Sequence, residues 1–310
     1  MTILVMFLAG VVLLTLGANW LVQGASLIAE AFRLPKHIVG LTLVALGTSA
    51  PELFVNLIAA ANGDTDFALA NVSGSNLANL CLGLGICAML STVPLRKSEF
   101  GSDLMLLWII PVVLLIFCYA NPSRVLPWMA VLPLTALFVY YLGSLKGRAQ
   151  EEIPEHEGEP NVAWGAVQFV GGVAALYFGG EWVLHAAQTG ALALGIGEDV
   201  IGLTVVALGT SVPDITASIV ATRKREFGIA VGNILGSNIS NLVLVLNGTI
   251  LVSQEALPTT MPTRGDYLAV ALVSLTVFFC GWRREELPHR VGLWFVVAYV
   301  AYLVARVFVI

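Results

Sequence analysis

Two carboxylates stand where the chain is otherwise apolar. Glu52 closes the string GLTLVALGTSAPE at 40–52, and Asp214 closes GLTVVALGTSVPD at 202–214. Both fall deep in apolar runs, where an ionised group is expensive and faces a bundle interior or a water-filled cavity. Arg and Lys are absent from the middle of every such run. Two unpaired carboxylates converging at that depth repel each other unless a cation or protons intervene. The residues just ahead of each acid are suited to a cation. Pro51 and Pro213 lack an N–H and displace the carbonyl four residues back, that of Gly47 or Gly209, from its helical bond. The hydroxyls of Thr48, Ser49, Thr210 and Ser211 add further oxygens.

A second pair of strings supplies neutral ligands. In NVSGSNLAN, Asn71, Ser75 and Asn79 recur every fourth position and share one helical face; in NILGSNISN, Asn233, Ser237 and Asn241 do the same. Gly74 and Gly236 permit close helix approach there. An all-oxygen set suits a hard cation and argues against zinc or copper. Two ionised carboxylates balance one divalent or two monovalent cations, and the number of flexible oxygens favours Ca2+ modestly over Mg2+. The four cysteines, Cys81, Cys87, Cys118 and Cys280, sit in apolar runs with no CxxC spacing and read as small buried hydrophobes.

These groups must be positioned by membrane helices. The 310 residues are 58% hydrophobic and 11% charged, less than half the charge of a soluble domain. That excludes a soluble enzyme, a nucleic-acid binder and a disordered chain. Apolar runs at about 3–28, 38–60, 67–92, 104–120, 126–145, 162–189, 200–221, 228–252, 266–281 and 290–308 predict ten transmembrane helices, because lipid tolerates no unpaired backbone. The first run is too long, and lacks the flanks, for a cleaved signal peptide. Loops after the odd-numbered runs carry twelve Lys and Arg, from Arg33 and Lys36 to Arg290, whereas the opposite side carries Arg124 and Arg264. The positive-inside rule makes the richer side cytoplasmic and both termini external. The polar stretch 146–161 is then a cytoplasmic tether.

The two acid strings are copies. An offset of 162 aligns them, aligns GSNLANL at 74–80 with GSNISNL at 236–242, and pairs Trp20 with Trp182 without a gap. Five runs separate each helix from its copy, and an odd number inverts the second unit. The expected fold is therefore all-α and polytopic: two inverted five-helix repeats, 1–145 and 162–310, joined by the 146–161 linker. Such a plan brings the copied strings together near the midplane, as in a secondary transporter. Symmetry alone leaves a static channel open.

On GTSAPE with GSNLAN and GTSVPD with GSNISN, the chain resembles the calcium/cation antiporter superfamily, specifically its sodium/calcium exchanger branch. The resemblance covers the whole ten-helix plan. It implies no enzyme and no resident cofactor, but electrogenic antiport of about three Na+ against one Ca2+ by alternating access. Helices 1 and 6 would slide over the rest, with Gly17, Gly24, Gly171, Gly172, Gly179 and Gly180 as smooth surfaces. It also implies a central diamond of Glu52, Asn79, Asp214 and Asn241. Around that diamond it implies auxiliary oxygens from Thr48, Ser49, Ser75, Thr210, Ser211 and Ser237, and carbonyls near Ala45, Gly47, Ala207 and Gly209. Asp214 stands where related prokaryotic chains often have Glu, and Asn241 where they often have Asp; the latter argues against potassium dependence and bears on the sodium count. A Ca2+/H+ antiporter using the same two carboxylates is the alternative, although that branch usually lacks the Thr-Ser step kept in both copies here.

The implied surroundings are a lipid bilayer, as in a prokaryotic inner or plasma membrane, with Ca2+ and Na+ or H+ as substrates, no nucleic acid and no obligate protein partner. Glu181, aligned with Asn19, reads as interfacial. The acidic run in EEIPEHEGE reads as a solvated loop, and the four histidines have no ligand-type neighbours.

Overall fold

The computed structural model describes residues 2–120, 125–126, 128–151, 161–193, 207–253 and 257–309. The chain is almost wholly helical, as expected where backbone polar groups have no water to turn to. In order come α1 (Thr2–Ala31), α2 (Lys36–Thr48), α3 (Ala50–Ala61), α4 (Thr65–Leu90), α5 (Lys97–Ala120) and α6 (Val131–Glu151). After the linker follow α7 (Val162–Ala193), α8 (Ala207–Arg223), α9 (Phe227–Ser253), α10 (Met261–Arg284) and α11 (His289–Val309).

Six of these are long and apolar enough to cross a membrane by themselves, and seven if α2 and α3, bent by 46° at Ser49, count as one span. The shortfall against ten apolar runs has physical causes. α6 ends in the polar KGRAQE, α8 carries Thr, Ser, Pro, Asp and Arg, and the apolar part of α11 is the shorter His289–Ala305. The first half of the run at 200–221 lies outside the described residues.

The two halves repeat backbone detail that their side chains do not announce. Between α3 and α4 the chain turns through Gly63 at φ 81°, with Asp64 N bonded to Ala59 O at 2.9 Å. Between α8 and α9 it turns through Arg225 at φ 62°, with Glu226 N bonded to Ala221 O at 2.9 Å. The glycine takes this left-handed geometry freely, whereas the arginine holds it at a cost. Four short strands pair in the same exchanged way. β1 (Val93–Pro94) is antiparallel to β4 (Glu286–Leu287), and β2 (Val125–Leu126) to β3 (Leu257–Pro258).

The apolar interior divides into two clusters. The larger is built from α4, α5, α6, α9, α10 and α11, and the smaller joins α1 and α7 to α2, α8 and the start of α9. α4 and α9 are buried over 83% and 94% of their most apolar stretches, against 22% and 33% for α1 and α7. The helices of the Asn/Ser strings are therefore the central ones, and α1 and α7 lie at the periphery.

α1 and α7 lie along each other on a seam of glycines seven residues apart. A Cβ at Gly10, Gly17 or Gly24 would stand 3.0, 3.0 and 2.6 Å from the carbonyl of Gly179, Gly172 and Gly165 respectively. Only glycine permits that antiparallel backbone approach. Of the other expected surfaces, Gly171 meets the Trp20 ring and Gly180 faces Pro213.

One buried ion pair was not foreseen. Asp103 of α5, fully buried, takes a bidentate fork from Arg148 of α6 at 2.6 and 2.9 Å, and Arg148 also donates to the Glu99 carbonyl. Nearby, the Tyr141 hydroxyl donates to the Leu41 carbonyl at 2.8 Å, tying α6 to the π-helical turn Gly40–Val44 of α2. Removing one partner of such a pair strands the other charge. Arg148→Ala is expected to cost about 3–5 kcal/mol and Asp103→Asn with Arg148→Gln together much less, read as thermal unfolding midpoints in detergent.

Candidate functional site

Each predicted ligand is set by a local feature of its helix. α2 carries a π-helical turn at Gly40–Val44 and ends at Thr48; Ser49 leaves helical geometry at φ −90°, ψ 5°, and Pro51 sits in the first turn of α3. Proline suits a helix start because the missing N–H would be unpaired there anyway. The corresponding Pro213 behaves differently, lying inside α8, which runs unbroken from Ala207 to Arg223. Identical motifs thus give one bent and one continuous helix. In α4 and α9 a π-helical turn begins at Asn79 (Asn79–Leu84) and at Asn241 (Asn241–Val245). A π turn inserts a residue into the ladder and re-aims the side chains around it.

The structure brings the four helices of the copied strings together around Asp214 and Glu52, which are 0% and 1% exposed. Asp214 is richly held. Its Oδ2 accepts from Asn79 Nδ2 at 2.8 Å and from Ser49 Oγ at 3.3 Å, and its Oδ1 accepts from Ser237 Oγ at 2.9 Å. Glu52 is nearly bare. Its Oε1 lies 3.5 Å from Ser211 Oγ, and its Oε2 has no hydrogen-bond partner. The hydroxyls are exchanged between copies: Ser49 serves the second acid and Ser211 the first. No Lys or Arg pairs with either carboxylate among the described residues.

The other expected oxygens surround this pair. Ser75 Oγ lies 3.4 Å from Thr210 Oγ1. Thr48 Oγ1 lies 2.8 Å from the Val44 carbonyl and 2.9 Å from Asn233 Oδ1, so its one proton serves one at a time. Asn79 Oδ1 and both amide atoms of Asn241 and of Asn71 are buried without a partner. Buried amides are ordinarily satisfied, yet these three side-chain oxygens on α4 and α9, like Glu52 Oε2, have no partner. Gly47 borders a cavity shared with Thr48 and Pro51, and Gly209 another shared with Thr210 and Pro213. The Ala45 carbonyl already accepts from Ser49 N at 3.0 Å and lies 3.3 Å from Thr48 Oγ1. Ala207 opens α8. Among the described residues no three of His, Cys, Asp and Glu converge, so the donor set is oxygen from two acids, amides and hydroxyls.

Asn233 has a part that sequence spacing did not reveal. Its Nδ2 donates to the Asp214 carbonyl at 3.0 Å and to Ser218 Oγ at 2.9 Å while Oδ1 faces Thr48, so it braces α9 against α8 and α2. Its copy Asn71 makes none of these bonds. A buried group left unpaired costs about 1–3 kcal/mol. Asn233→Ala is therefore expected to lower the thermal midpoint clearly in ion-free detergent, and Asn71→Ala to leave it nearly unchanged.

A family model described as sodium/calcium exchanger protein matches residues 2–146 and again 164–308, so the same model recognises each half. CaxA of Alkalimonas amylolytica is 32% identical over 272 residues, covering 85% of each chain. The sodium/calcium exchanger MaX1 of Methanosarcina acetivorans is 27% identical, covering 97% of each. In three dimensions the chain matches the sodium-calcium exchanger NCX_Mj, soaked with Na+ and Sr2+, with a TM-score of 0.85, 27% identity and 98% of each chain covered. With the two halves matched separately and the fold shared along its length, this chain is a multi-pass membrane transporter belonging to the sodium/calcium exchanger family.

Proposed function

We propose that the protein exchanges Na+ for Ca2+ across the membrane by alternating access, with Glu52 and Asp214 as the charged ligands of a shared, competitive site. The observation that carries this reading is a pair of buried carboxylates from copied positions, without a basic partner among the described residues and ringed by unpartnered oxygens. Asn79, Asn241, Thr48, Ser49, Thr210, Ser211, Ser75 and Ser237 complete the oxygen set, with the carbonyls near Ala45, Gly47, Ala207 and Gly209. One Ca2+ satisfies both acids at once, and Na+ ions in overlapping positions displace it. Family membership and the names of MaX1 and NCX_Mj support these two ions.

The ten-run reading completes the plan. Residues 1–145 and 162–310 form inverted five-helix repeats joined by a cytoplasmic linker at 146–161, with both termini outside a prokaryotic inner or plasma membrane. The exchanged strand pairs and the matching turns at Gly63 and Arg225 support the repeat. The glycine seam holds α1 and α7 backbone to backbone, which supports their moving together as one unit. Exchange of about three Na+ per Ca2+ moves one net charge per cycle, on which a potential acts with about 2.3 kcal/mol per 100 mV. The proton-coupled alternative uses the same carboxylates, and the bare Glu52 Oε2 is the atom that favours it, because a protonated acid also needs no cation.

Radiocalcium uptake into proteoliposomes loaded with Na+ and diluted into Na+-free buffer separates the readings. Uptake is expected to follow the outward Na+ gradient, to quicken with an interior-positive potential because each cycle carries one net positive charge outward, and to vanish in Glu52→Gln and Asp214→Asn. Uptake that ignores Na+ but follows an imposed pH gradient would instead establish the proton-coupled reading.

A further inference from the structure

Between α3 and α7 lies a groove of about 660 Å3 whose walls are almost entirely apolar. Thr48 is at its inner end, and the one acidic residue lining it is Glu181 of α7. A second, much smaller cavity is bordered by Pro51, Gly180, Glu181, Gly209, Thr210 and Pro213. Glu181 therefore lines both spaces that border the two prolines preceding the site acids.

Position along the helix makes this residue notable. A Cβ on Gly180 would stand 3.5 Å from the Pro213 ring, and Glu181 lies within the candidate span Val162–Gly190. Glu181 is exposed and has no hydrogen bond or ion pair among the described residues. A lone carboxylate within a span is tolerated where water reaches it, and it then marks an ion path.

The copied position carries no charge. Asn19 of α1 turns its amide to the Thr15 carbonyl at 2.9 Å, and Lys224 donates to the Asn19 carbonyl at 3.3 Å. The cavity beside it is bordered by both Lys224 and Glu226, so the lone carboxylate of Glu181 has no equivalent there. A fixed charge in a cleft with low-dielectric walls concentrates counter-ions. A single carboxylate holds a cation weakly enough to pass it on, as conduction requires.

We propose that Glu181 captures the incoming divalent cation at one mouth only, making the two faces of the antiporter unequal. The inference rests on the Na+/Ca2+ reading. Its test uses proteoliposomes of uniform orientation, with the Ca2+ KM measured separately at each face, in low salt and in added choline chloride. Glu181→Gln is expected to raise KM about three- to tenfold at one face, with kcat and the other face unchanged. The effect should shrink as salt screens the charge, and Glu181→Asp should restore most of the affinity. Asn19→Glu is expected to lower KM at the opposite face. Equal KM values for wild type and Glu181→Gln, an equal rise at both faces, or a change indifferent to salt would overturn the capture role alone. A wild type that moves no Ca2+ under any Na+ gradient would overturn the exchange reading, and the capture role with it.

Discussion

The fold is organised around the difficulty of keeping two carboxylates in an apolar interior without a basic partner. Every central feature eases that difficulty. The helices that carry the Asn/Ser faces, α4 and α9, are the most buried of the candidate spans, so their amides and hydroxyls are held inside the bundle. The solution is unequal on the two sides. Asp214 accepts from Asn79, Ser49 and Ser237 and is compensated by dipoles before any ion arrives. Glu52, one methylene longer, has one distant hydroxyl and an empty oxygen. On the proposed reading the ion therefore supplies most to Glu52, and the neutral Asn241 of α9 adds an oxygen without a further negative charge.

Two kinds of packing divide the molecule. The larger apolar cluster is fastened by bonds that cannot slide, such as the Asp103–Arg148 fork and the Tyr141 hydroxyl on the Leu41 carbonyl. The α1–α7 seam brings backbone against backbone at Gly10, Gly17 and Gly24, with the side chains of Leu14, Leu27, Ala175 and Val183 packed around those contacts. It joins the two helices to each other and, among the described residues, carries no hydrogen bond to the larger cluster's fastenings.

Much of this was legible because polar residues in apolar runs are rare enough to be read singly. Glu52, Asp214 and the Asn/Ser faces drew notice by their cost, and the 162-residue offset joined them. The family and the all-helical membrane fold followed. Other features depend on three-dimensional neighbours. Asp103 and Arg148 lie at the flanks of their runs, 45 positions apart, where charges ordinarily mean loop. The matched prolines gave no sign that α2 would break at Ser49 while α8 continued through Pro213. Asn71 and Asn233 are indistinguishable by spacing, yet only Asn233 finds Thr48, Ser218 and the Asp214 carbonyl within reach. Identical motifs diverge when the surrounding packing is not identical.

The exchange of hydroxyls between copies restricts how such a molecule can move. Ser49 reaches Asp214 and Ser211 reaches Glu52, while Asn79 of the first copy also holds Asp214. Rocking one whole repeat against the other would pull every one of these pairs apart at once. It would strip Glu52 of its hydroxyl and leave Asp214 with Ser237 alone, and a buried charge that loses its donors is costly. The site stays intact only if α2, α3, α4, α8 and α9 travel together. Motion that opens the site alternately to the two sides must then fall on elements that contribute no ligand, and α1 and α7 meet that condition. The crossed hydrogen bonds at the centre and the bare glycine seam at the edge are two consequences of one requirement, that the acids never separate from their shared shell.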